Sequence, residues 1–142
     1  MGNQLFEVAL KAFITQRDGR LLLVQTDTSV PWELPGGRIS AGEEYGDLTV
    51  ILRREIEEEI GRSIQLNIGN PVAAWVTKNR KTGGPIFLVG YHCDFVSGEI
   101  ELGGGQQAYQ WVTEEESRVL TLSPGFPEAL QAFWNILRQR QV

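Results

Sequence analysis

The stretch Gly46-Asp47-Leu48-Thr49-Val50-Ile51-Leu52-Arg53-Arg54-Glu55-Ile56-Glu57-Glu58-Glu59-Ile60-Gly61 carries the strongest structural signal in the chain. Leu48, Leu52, Ile56 and Ile60 recur every four residues with Ile51 beside them, the spacing of one buried helical face. Asp47 reads as the N-cap and Gly61 as the stop. Glu55, Glu58 and Glu59 stand at i, i+3 and i+4, so they share a second face. Like charges at that spacing oppose the helix by about 0.2–0.5 kcal/mol per pair. A cation would remove the opposition, and carboxylate oxygens suit Mg²⁺, which also takes oxygens from phosphates. On the acidic run alone, a solvated face paired with Arg53 and Arg54 explains the residues as well.

Working outward, Val8 to Thr15 and Arg20 to Gln25 read as strands of a hairpin turning at Arg17-Asp18-Gly19. Pro31 to Ile39 contains Pro-Trp-Glu-Leu-Pro-Gly-Gly and reads as a loop outside regular structure. Beyond the helix, Pro71 to Thr77 and Pro85 to Val96 read as strands joined by the basic turn Lys78 to Gly84. Glu99 to Leu102 and Tyr109 to Thr113 read as two short strands. Pro127 to Arg138, with Leu130, Phe133, Trp134 and Leu137 at helical spacing, closes the chain as a second helix. Strands, helix, strands, helix give an α+β domain, a mixed sheet sandwiched between helices.

Composition bounds the function. The 142 residues fit a single domain, 1–142. A hydrophobic content of 42% with 22% charged residues describes a soluble globular chain rather than a disordered one. The net charge of −5 argues against a polymeric nucleic-acid partner, which needs a basic face, but is compatible with free nucleotides. No apolar run approaches the about 20 residues that span a bilayer, and no secretory signal is read, so the expectation is no membrane contact. One cysteine, Cys93, fits a reducing cytoplasm, and one histidine, His92, excludes a multi-histidine metal site. Both sit in an apolar strand and read as packing residues.

Extended upstream, the acidic helix acquires a pattern. Trp32-Glu33-Leu34-Pro35-Gly36-Gly37 leads to Gly42-Glu43 and then to Arg54-Glu55-Ile56-Glu57-Glu58-Glu59-Ile60-Gly61. This resembles the Nudix box, G-x5-E-x7-R-E-U-x-E-E-x-G-U with U aliphatic, over residues 37–62. The opening hairpin and Tyr109-Gln110-Trp111-Val112 are similar to the family's flanks. Two departures stand out. Ten residues separate Glu43 from Arg54 where the pattern has seven, a three-residue insertion that would turn a helix by roughly 300° if it lay within it. Placed instead in the loop before the helix, around Glu44 to Thr49, it leaves Glu43, Glu44 or Asp47 to serve the box arginine. The final aliphatic position holds Arg62, with Ile64 near enough to fill the space.

The resemblance implies a MutT-like Nudix fold with a loop-helix-loop motif. It also implies Mg²⁺ (or Mn²⁺) dependent hydrolysis of a nucleoside diphosphate linked to another moiety, as in a nucleoside triphosphate or nucleotide sugar. By motif position, Glu55, Glu58 and Glu59 would be metal ligands, with the backbone carbonyl of Gly36. Arg54 would orient the glutamates, and Glu55 and Glu58 are both candidates for the base. Many members carry a further glutamate six residues before the tryptophan that matches Trp111. Gly105 stands there, and neither Glu99, Glu101 nor Glu114 matches by spacing. Trp32, Gly37, Arg38 and Glu43 are candidate substrate contacts, and Phe6, Glu7 and Lys11 lie on or near a strand that could edge the pocket. Lys78, Arg80 and Lys81 read as an exposed hairpin tip. The family's ADP-ribose and dinucleoside-polyphosphate markers, a proline or tyrosine about 15 residues past the box, are absent, and the short chain favours a nucleoside triphosphate. The alternative is a catalytically weak nucleotide-binding protein of the same fold. The closing helix reads as core, with a homodimer interface as the alternative.

Overall fold

The computed structural model describes residues 2–140. Its elements are β1 (Glu7–Thr15), β2 (Leu21–Gln25), β3 (Gly36–Arg38), α1 (Leu48–Ile60), β4 (Gln65–Lys78), β5 (Pro85–Ser97), β6 (Ala108–Val112), α2 (Glu114–Arg118) and α3 (Phe126–Arg140). The six strands form one sheet in the order β4-β5-β1-β2-β6, with β3 also on β1. The β1–β5 pairing is parallel and the others are antiparallel, so the sheet is mixed.

The period-2 geometry of β1 and β2 feeds two cores at once. Leu10, Ala12, Ile14, Leu22 and Val24 face α1, where Ile51, Leu52, Ile56 and Ile60 cover them. Ala9, Phe13, Leu21 and Leu23 face α3, where Phe126, Leu130, Phe133 and Trp134 cover them. Phe13 and Phe133 stack with centroids 4.5 Å apart and planes 14° apart. Each such fully buried side chain contributes roughly 1.5–3 kcal/mol by leaving water. Because the strands are covered on both faces, they read as continuous apolar runs rather than alternating ones.

Several expectations need correction. The Pro-Gly-Gly segment is not wholly irregular, because Gly36–Arg38 pairs with β1 as β3. This is allowed because β2 stays with β1 only near the hairpin turn, where Thr15 faces Leu21, and leaves β1's far edge free. Glu99 to Leu102 is not a strand. Its backbone instead runs across the end of α1, with the Glu101 N–H donating to Ile60 O at 2.9 Å. An extra helix, α2, follows β6, nucleated by a capping box between Thr113 and Glu116. Phe133 and Trp134 of α3 are buried within the chain, as a core helix requires. No helix among the described residues is long and apolar enough to cross a membrane.

Candidate active site

The site forms where β3, the loop after it, α1 and the segment before β6 meet. Asp47 caps α1, its carboxylate accepting from the Thr49 N–H at 2.9 Å, and Gly61 at φ 102° ends it. The cap is worth about 1 kcal/mol. Helix phase then points Ile56 and Ile60 into the core and leaves Glu55, Glu58 and Glu59 along the edge facing β3 and the later loop.

The β3 backbone shapes this edge. Ala12 N–H donates to Pro35 O and Ile39 N–H to Val8 O, at 2.9 and 2.8 Å. Bonded pairs alternate along an antiparallel ladder, so Gly36, opposite Lys11, turns its N–H and its carbonyl away from β1. The N–H donates to Glu59 Oε1 at 2.6 Å. A side chain at Gly36 is excluded, since its Cβ would lie 2.0 Å from Leu10 O and its φ is +143°. Gly37 is constrained from the other side, because a Cβ there would lie 2.2 Å from Glu55 Oε2. The Glu55 carboxylate therefore rests directly on the glycine backbone.

Arg54 ties the helix to the preceding loop. Its guanidinium donates to Glu43 Oε2 at 2.5 Å, to Glu58 Oε1 at 3.1 Å and to Glu55 Oε1 at 3.4 Å. Glu43 is the loop carboxylate that reaches it. Glu44 is turned to the Gly42 N–H, and Asp47 is occupied as the cap. The residues between Glu43 and Arg54 divide between irregular loop up to Asp47 and helix from Leu48.

Electrostatically the three glutamates differ. Glu55 has a mostly covered side chain, and burial pushes its carboxyl above the usual range. Arg54 opposes that shift, while Glu58, Glu59 and Glu43 add to it. Burial also raises Glu59, against the pull of Lys11, the Gly36 N–H and Gln106. Glu58 is half exposed. Among the described residues no three Asp, Glu, His or Cys side chains converge tightly enough to enclose a cation. The reason is visible in the bonding: Glu58 is drawn to Arg54, and Glu59 is turned to Gly36 and Gln106. The donor set still fits a hard divalent ion. Glu55 and Glu59 are carboxylates held in surroundings that disfavour their charge, beside an outward backbone carbonyl.

The remaining candidates scatter. Trp32 packs against the α3-side core and bridges Leu122. Arg38 pairs with Glu7 at 3.2 Å, and Glu7 also accepts from Asn79 at 2.8 Å. Phe6 lies edge-on to Phe87. Lys11 is buried and donates to Glu33 Oε1 and Leu34 O, each at 3.2 Å. Arg80, expected at a free hairpin tip, folds back to Ser123 Oγ at 3.2 Å, and that hydroxyl donates to Glu33 at 2.8 Å. Glu114 is bound by Arg118 and Arg138, away from the site. His92 contacts Thr15 at 2.9 Å and Arg140 at 3.1 Å, and Cys93 is buried.

Sequence reasoning missed Glu33 and Gln106. Glu33 appeared only as part of a lead-in motif. Gln106 stands one residue beyond Gly105, where the family pattern places a carboxylate, and the Gly103-Gly104-Gly105 run before it is its signal in the sequence.

Comparison with known proteins bears on the fold and the family. No curated protein matches the chain in sequence at a significant level. Among solved structures, the solution structure of the E. coli ORF135 protein superposes with a TM-score of 0.76 at 28% identity, covering 99% of this chain and 96% of that one. A MutT protein from Methanosarcina mazei Go1 gives 0.78 at 20% identity, covering 100% of both. A C. elegans Ap4A hydrolase gives 0.77 at 20%, covering 94% and 98%. A family model described as the NUDIX domain matches residues 5–133. The chain therefore belongs to the Nudix family and is a Nudix hydrolase.

Proposed function

We propose that this protein hydrolyses a diphosphate linkage in a nucleoside diphosphate joined to another moiety, by attack of water on phosphorus, with Mg²⁺ or Mn²⁺ bound. A nucleoside triphosphate is the favoured substrate class and a nucleotide sugar the next. The observation that carries the reading is the arrangement of Glu55 over the Gly37 backbone and Glu59 on the Gly36 N–H, beside the outward Gly36 carbonyl. Glu55, Glu58, Glu59 and that carbonyl would hold the ion. When bound, the ion neutralises phosphate charge and lowers the pKa of water.

The chain's own residues do the rest. Arg54 holds Glu43, Glu55 and Glu58 at one point on the loop-helix junction. Glu58, half exposed and paired with Arg54, is with Glu55 a candidate to accept the proton of the attacking water. Gly37 keeps the backbone low enough for Glu55 to lie over it. The alternative of nucleotide binding with weak catalysis rests on the loop before β6, where Gln106 rather than a carboxylate contacts Glu59.

The test is phosphate release from a panel of nucleoside triphosphates, dinucleoside polyphosphates and nucleotide sugars. It is run with Mg²⁺ or Mn²⁺, with and without phosphatase and pyrophosphatase, beside Glu58→Gln. Signal from one class, lost in the variant, supports the reading. Silence across the panel in protein that binds Mn²⁺ rejects hydrolysis of these classes and favours the binding alternative.

A further inference from the structure

The segment Gly103-Gly104-Gly105-Gln106 lies on the last turn of α1. The Gly103 N–H donates to Glu59 O at 2.9 Å, and a Cβ at Gly103 would lie 2.6 Å from Glu58 O. The loop therefore approaches the helix as closely as bare backbone allows. It turns back on itself through the Gln106 N–H to Gly103 O bond, 3.0 Å. The turn delivers the Gln106 amide to Glu59, where Nε2 donates to Oε2 at 2.5 Å. The other Glu59 oxygen is already taken by the Gly36 N–H. Two elements far apart in sequence thus grip one carboxylate from both sides.

The second amide atom is the informative one. Gln106 Oε1 is buried and has no hydrogen-bond partner. Its assignment follows from chemistry for the ionised Glu59, since the atom facing a carboxylate oxygen that carries no proton must be the donor nitrogen. A buried acceptor without a partner is costly and calls for a reason. Oε1 and Nε2 share one carbon, so the orphan oxygen lies beside the carboxylate that the proposed function assigns to the metal. Mg²⁺ keeps several of its waters when bound, and those waters are donors.

We infer that Gln106 is a positioning residue for Glu59 and that its unpaired Oε1 serves the hydrated divalent cation which Glu59 would hold. The inference rests on the reading of Glu59 as a metal ligand. Groups behind a ligand that fix its orientation typically change metal affinity 10- to 100-fold when removed.

The experiment is Mn²⁺ titration followed by the EPR signal of free Mn²⁺, on wild type, Gln106→Ala, Gln106→Glu and Glu59→Gln, with melting in EDTA and in Mn²⁺. Gln106→Ala is expected to weaken Mn²⁺ about 10-fold. Gln106→Glu places two carboxylates together, so it should melt lower in EDTA, yet bind Mn²⁺ at least as tightly as wild type. A merely structural role predicts that both variants lose affinity together. Mn²⁺ affinity within twofold of wild type for Gln106→Ala, or Gln106→Glu as weak as Gln106→Ala, overturns the inference. Should Gln106→Ala not fold, Gln106→Glu is judged against wild type: Mn²⁺ affinity at or above wild type supports the inference, and weaker affinity overturns it. Glu59→Gln separates the layers. If it abolishes Mn²⁺ binding while Gln106→Ala does nothing, only this inference falls. If Glu59→Gln itself binds Mn²⁺ normally, the metal-ligand reading of Glu59 falls and takes the inference with it.

Discussion

Helices α1 and α3 cover opposite faces of one sheet, and each buries an apolar stripe, yet their remaining surfaces differ. α3 packs aromatic residues, Phe126, Phe133 and Trp134, against Phe13 and Trp75, and its last turn carries Arg138 and Arg140, the sign that the helix dipole favours. α1 packs smaller aliphatic residues and crowds Glu55, Glu58 and Glu59 along the sheet edge, where Gly36, Gly37 and Gln106 enclose two of them. One helix is arranged for stability. The other accepts buried like charge at a place where a cation would relieve it, which is how a functional surface differs from a packing surface on the same framework.

The largest effects should separate the two helices. Phe133→Ala empties a fully buried, stacked position and should cost about 3–5 kcal/mol in urea unfolding, with the Mn²⁺ affinity of the folded fraction unchanged. Glu58→Gln or Glu55→Gln on α1 should lower phosphate release by about 100-fold or more, with an unfolding midpoint close to wild type. Activity within threefold of wild type for both would remove α1 from the chemistry.

A smaller effect probes the glycine shelf. Gly37→Ala would put a methyl 2.2 Å from Glu55 Oε2, so the carboxylate must move. Mn²⁺ affinity should fall roughly 10-fold, read by the same titration. Unchanged affinity would mean that Glu55 does not need that shelf.

The smallest effects belong to β5, under α3. Burial lowers the His92 pKa below 6.5, Asp94 raises it and Arg140 lowers it further. The unfolded chain therefore takes up a proton at a higher pH than the folded one. The stability contributed by neutral His92 is complete above about pH 6.5 and is lost as the pH falls toward the lowered folded value. His92→Gln should flatten the fall in melting temperature below pH 6.5. Burial pushes the neighbouring Cys93 thiol up to about 12. Native protein at pH 8 should resist iodoacetamide, measured by intact mass, while unfolded protein reacts; rapid native labelling would contradict the packing assignment.

Legibility followed distance along the chain. Asp47, Gly61 and the buried Leu52, Ile56 and Ile60 were readable because capping and a 3.6-residue period are local properties of backbone. The strand at Gly36–Arg38 was not, because two prolines and two glycines describe a loop until β1 supplies an edge for them. The long β4 is legible only from Pro71 onward, since residues 65–70 pair with β5 across register shifts that interrupt the alternation. Within the site, the shared face of Glu55, Glu58 and Glu59 was readable from spacing, whereas Gln106, 47 residues from Glu59, was not.

The sequence by itself determined the acidic helix, its caps, the face its glutamates share and the family to which they belong, because each depends on residues within a few turns of one another. Only the tertiary structure decided that Glu43 meets Arg54 across the loop before α1, that the Gly36 N–H and Gln106 divide the Glu59 carboxylate, and that Glu55 rests on Gly37. Those contacts depend on strand register and on the path of a glycine loop. Both are set by burying two cores against one sheet, and no local pattern encodes them.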